Sequence, residues 1–146
     1  MAIDRRLSLI DTLIWCVLIL GMAGLLAELS LLSHYEDLRQ TIPIVLLAAG
    51  LAVLVLDRVS PRRWTPRVIH IIMILFIFAG LVGMYLHFDG SRQFQLEMDP
   101  GMSGATLIWH VLQAKSPPTL SPGTMVQMGI LGMGYAYLRR SRWLQN

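Results

Sequence analysis

Apolar positions in this chain fall in long unbroken runs, not in the alternation of a half-buried strand or the stripe of a surface helix. Four runs stand out, at 9–32, 42–56, 68–88 and 124–138. A helix that crosses a bilayer needs about 20 mainly apolar residues, within about 17–25. The first and third runs meet this outright, and the second and fourth do so with their polar flanks. The pattern predicts an all-α membrane protein: one domain over 1–146 with four transmembrane helices, at about 8–33, 41–57, 66–88 and 121–139. A loop at 89–120 separates the last two.

Helix-start chemistry supports these limits. Thr65-Pro66 and Ser121-Pro122 set a hydroxyl before a proline, whose missing N–H costs nothing in a first helical turn. Ser8 and Asp11 fit a capping box, which assigns Asp11 a structural role.

Within the loop, the QFQLEMD segment at 93–99 alternates polar and apolar residues as a half-exposed strand does. One strand makes no stable sheet, so it predicts a small hairpin or addition to a partner's sheet edge. DPGMSG at 99–104 reads as a turn. The segment 103–115 then reads as a short helix, with Leu107, Ile108, Val111 and Leu112 on one face and Trp109 and His110 beside it, either interfacial or packed across the top of the bundle. SPPTLSPG at 116–123 is a stiff, extended return. An ordered loop of this length is a contact surface by default, and Phe94, Leu96, Met98 and Trp109 are its candidate partner contacts.

Composition sharpens the class. Hydrophobic residues make up 55% of the chain and charged residues 14%, against roughly 25% charged in soluble domains, which favours the bilayer over water. Charge then sets an orientation. Of the 12 basic residues, nine (Arg5, Arg6, Arg58, Arg62, Arg63, Arg67, Arg139, Arg140 and Arg142) fall on one side of the four-span pattern. By the positive-inside rule that side is cytoplasmic, with both termini inside, as in a bacterial inner (cytoplasmic) membrane. The net charge of +3 is thus a topology signal and implies no nucleic-acid partner. The first apolar run exceeds a signal-peptide core and reads as a retained anchor. Cys16 is the one cysteine, so an intrachain disulfide, a CxxC redox centre and a multi-cysteine zinc site are excluded.

A polar signature (histidine, aromatic, acid, two variable positions, arginine, glutamine) occurs twice: His34, Tyr35, Glu36, Arg39, Gln40 and, 53 positions later, His87, Phe88, Asp89, Arg92, Gln93. Both copies fall outside the membrane, each at the expected end of a helix, which fits two tandem helical hairpins or convergence on what helix ends prefer. Interfacial aromatics and snorkelling arginines account for Tyr35, Phe88, Arg39 and Arg92. The histidines offer more chemistry. His34, His87 and His110 are the candidate metal ligands, and if the first and third helices are neighbours, His34 and His87 bracket a heme or pigment metal. No histidine pair has the i, i+4 spacing that presents two ligands on one helical face.

Glu28 lies six residues before His34, about 9 Å deeper into the membrane. An ionisable group there is costly and raises a functional hypothesis, with Gln127 at similar depth, or Arg39 or Arg92 folding back, as candidate partners in a structural network. Gly129, Gly132 and Gly134, and likewise Ala48, Ala49 and Gly50, thin two helix surfaces for close packing.

No nucleophile–base arrangement, nucleotide loop or clustered metal motif argues for an enzyme. The leading expectation is a small accessory subunit of a larger membrane complex, with other membrane-protein subunits and the bilayer as partners. The alternative is a protein that binds metal, heme or pigment through its external histidines, with no cofactor specified by the sequence. A third reading is an oligomeric proton-coupled transporter built around Glu28.

Overall fold

The computed structural model describes residues 2–33, 36–114 and 118–145, with side chains described from Arg6 to Ser141. These residues form α1 (Ala2–Leu31), α2 (Leu38–Val59), α3 (Thr65–Met98), α4 (Gly104–Leu112) and α5 (Gly123–Gln145). The all-helical expectation holds for them. Three helices, α1 from Arg6 onward, α2 and α3, are long and apolar enough to cross a membrane. α5 has comparable length, but Gln127, its glycines and three C-terminal arginines dilute its apolar run.

The four long helices form a ring in which α1 touches α2 and α5, and α3 touches α2 and α5. Among the described residues α1 and α3 make no close approach, so they face each other across the diagonal. The first and third helices, from whose ends His34 and His87 were expected to bracket a metal, are therefore not neighbours. His34 itself lies outside the described residues.

The closest packing is between α3 and α5, and glycine makes it possible. A Cβ on Gly129 would lie 2.6 Å from Ile77 Cγ1 and 2.8 Å from the carbonyl oxygen of Met73. One on Gly80 would meet Val126 Cγ2 at 2.7 Å and the carbonyl of Pro122 at 2.9 Å, and one on Gly132 would overlap Met73. Bare backbone here admits the neighbouring helix in place of a methyl group. Around this seam Leu18, Met22, Leu47, Leu54, Ile69, Met73, Phe76 and Tyr135 are fully buried. Gly50 faces Met22 and Phe76, so Gly50, Gly129 and Gly132 serve packing inside the bundle; Gly134, Ala48 and Ala49 are exposed.

Several boundaries differ from the sequence expectation. α1 starts at Ala2, so Ser8 and Asp11 lie inside a helix and form no capping box. The Ser8 carbonyl instead accepts a bond from the Thr12 hydroxyl. Thr65 is the first residue of α3, not its cap, and its hydroxyl bonds the Asp57 carboxylate. α3 runs ten residues past Phe88 to Met98, so the strand expected at 93–99 is helical through Met98. Alternation over seven residues was outweighed by the cooperativity of a helix already running, since each further residue adds a hydrogen bond to an existing nucleus. The loop expected at 89–120 contracts to two connections on either side of α4.

Candidate functional site

Polar chemistry gathers at the two ends of the bundle. At one end, Asp57 closes α2 with a carboxylate that is fully buried. A buried carboxylate must be paired and hydrogen-bonded to be tolerated. Arg139 of α5 supplies the charge, with Nε donating to Oδ2 at 2.7 Å. Tyr135, one turn earlier on the same face, donates its hydroxyl to Oδ2 at 2.9 Å, and the Thr65 hydroxyl donates to Oδ1. The side chain of α2 thus gathers donors from α3 and α5.

The next residue repeats the arrangement toward α1. Arg58 donates from Nη1 to Asp11 Oδ2 at 2.9 Å and from Nη2 to Thr12 Oγ1 at 2.6 Å. Its guanidinium carbon stands 5.4 Å from the centre of the Trp15 ring, within cation–π range. Trp15 Nε1 in turn donates to the Leu54 carbonyl at 3.0 Å. Consecutive residues of α2 therefore staple all three other long helices. Sequence reasoning treated Asp57 as a mere boundary and Asp11 as a cap. The available signal was the Tyr135–Arg139 spacing of four, which stacks a hydroxyl and a cation on one helical face.

At the opposite end the sequence candidates are placed as follows. His87 lies within α3, not at its end, and its Nδ1 is 3.0 Å from the Pro118 carbonyl oxygen, so the ring holds the returning chain. Thr119, buried, donates to the Val111 carbonyl at 2.9 Å and ties that return to α4. His110 is exposed on α4. Among the described residues no group of three or more histidine, cysteine, aspartate and glutamate side chains comes together to hold a metal ion. Asp89 accepts from Arg92 at 3.4 Å and Gln93 at 2.7 Å within the same helix, so that part of the repeated signature acts locally.

The overhang of α3 carries the candidate contact surface. Ten residues beyond Phe88 extend about 15 Å along the axis. Phe94 and Met98, spaced to share a face, are 59% and 72% exposed, and Trp109 of α4 is 61% exposed. Leu96 is half-buried. Three of the four expected contact residues thus present large apolar surface outward.

Glu28 and Gln127 are both exposed on the bundle, and neither side chain bonds a described residue. They are not at one depth. Gly21 lies against Met128 on the antiparallel α5, which sets Gln127 about six residues, or about 9 Å, from the level of Glu28. The expected pairing is therefore not made.

Comparison with protein-family models, with curated proteins and with solved structures finds no match to this chain.

Proposed function

We propose that the chain is a small accessory subunit of a larger membrane protein complex, crossing the membrane four times with both termini cytoplasmic. In this reading α1, α2, α3 and α5 are the spans, and the Asp57–Arg139 end, flanked by Arg6, Arg62, Arg63, Arg67 and Arg140, is the cytoplasmic one. α5 is the least apolar span and is sheltered along one side by α3.

The observation that carries the reading is Glu28. It is exposed on α1 three residues before the helix ends, with Leu31 and Leu32 beyond it, and bonds nothing described in its own chain. Hydrocarbon offers a carboxyl group no partner, whereas a neighbouring subunit with a donor at that depth does. The exposed Phe94, Met98 and Trp109 supply a second contact above the membrane.

Native mass spectrometry of the protein, extracted gently from its own membranes, tests this reading, with a visible absorption spectrum of the same sample. The expected result is an assembly with other subunits, from which Glu28→Leu releases the chain while its own thermal stability is kept. A chain found without other proteins, carrying metal or colour, would overturn it.

A further inference from the structure

On the four-span reading above, we propose that α5 is the contact between two copies of this chain, with Gln127 facing Gln127 across a twofold axis along the membrane normal. Gln127, Ile130, Gly134 and Tyr137 are all exposed, and they recur at spacings of three, four and three. That is the 3.5-residue repeat of a two-helix seam. The seam lies opposite the face that Met125, Gly129, Gly132 and Ala136 bury inside the bundle, so nothing among the described residues covers it.

Two of its residues make no contact that accounts for them among the described residues. Gly134 has open space where a Cβ would stand, whereas Gly129 and Gly132 press against α3. A glycine in a helix interior weakens the helix unless a neighbour needs the room. Gln127 lies beside Val126, which packs on Gly80 near the middle of the 68–88 apolar run, so its amide sits deep in hydrocarbon. An amide carries both donors and an acceptor. The same group on a second copy therefore satisfies it, and a twofold contact sets each residue opposite itself. The carboxyl of Glu28 lacks this self-complementarity when ionised, which directs α1 to a different subunit and α5 to a second copy. A single polar seam position also fixes register, as buried amides do in paired helices.

Oxidative cross-linking in native membranes tests the pairing in a Cys16→Ala background. Ile130→Cys and Gly134→Cys are expected to give a band of doubled mass, and Met128→Cys, turned toward α1, is not. Adding Gln127→Leu to the Gly134→Cys chain should lower the cross-linked fraction on the order of three- to thirtyfold, the range for an interhelical hydrogen bond in a membrane. A membrane-impermeant maleimide applied to Gln127→Cys separates the two ways of failing. No doubled band with an unlabelled thiol overturns the dimer and keeps the fourth span. A labelled thiol overturns the fourth span and the dimer with it.

Discussion

Arg139 reaches back across 82 residues of chain to place Nε 2.7 Å from Asp57 Oδ2 and Nη2 3.2 Å from the Asp57 carbonyl oxygen. One guanidinium thus satisfies both the charge of a fully buried carboxylate and a carbonyl at the end of α2. The pair joins α2 to α5 across the diagonal of the ring, where the two helices share little other contact.

Breaking this pair from one side is expected to be severe. Asp57→Ala and Arg139→Ala should each lower stability by about 3–5 kcal/mol, because the surviving partners stay in the protein interior without their match. Asp57→Ala should be the worse, since it also strips Tyr135 of its acceptor and leaves the Thr65 hydroxyl with only the Arg62 carbonyl. The double replacement Asp57→Leu/Arg139→Leu should cost less than the two alanine variants combined. Thermal unfolding of all three in one detergent measures the difference.

Arg58 carries a geometric requirement as well as a charge. Its two terminal nitrogens serve Asp11 and Thr12 separately while the plane lies over Trp15. Arg58→Lys keeps the charge but has no planar fork. It is expected to cost about 1–2 kcal/mol, with Thr12→Val costing about 1 kcal/mol on its own. If Arg58→Lys unfolds like the unaltered protein, the fork is not what Asp11 and Thr12 require.

Two glycines five residues apart on α5, on opposite faces, should respond with opposite signs. Gly129→Ala drives a methyl into the backbone of α3 and should destabilise the monomer by about 1–3 kcal/mol. Gly134→Ala meets open space and should stabilise the detergent-solubilised monomer by about 0.5–1 kcal/mol through helix propensity. Equal responses in unfolding experiments would contradict the α3–α5 packing described above.

The connection after α4 should depend on one hydroxyl. Thr119→Val keeps the shape and removes the bond to the Val111 carbonyl, at an expected cost of about 1 kcal/mol. Local opening should increase more than global unfolding. Faster proteolysis between α4 and α5, with little change in the midpoint of thermal unfolding, is the expected signature.

Sequence and structure agree where a long apolar run decides the matter, and diverge where partners distant in the chain do. The helices around 9–32, 42–56 and 68–88 were legible because their length and hydropathy admit few other states. The C-terminal third of α3 was not, since seven alternating residues fit either period and tertiary continuity chose the helix. Asp11 illustrates the deeper difficulty. Locally it satisfies a capping pattern with Ser8, yet its position in the fold is set by Arg58, 47 residues away. Of the candidate site residues, Glu28 and Gln127 were found by polarity alone. That they lie at different depths followed only from the packing of Gly21 on Met128, and that both are exposed only from the folded bundle.

The ion pairs that join one helix to another among the described residues, Asp11–Arg58 and Asp57–Arg139, both lie at one end of the ring. Such a bundle is clasped like a pair of tongs. Its far ends can part by a small angle with every clasp intact, and the displacement grows along the helices toward His87 and the overhang of α3. A neighbour wedged between those far ends would meet mainly the resistance of apolar contacts, while the same wedge at the clasped end would have to break two salt bridges first.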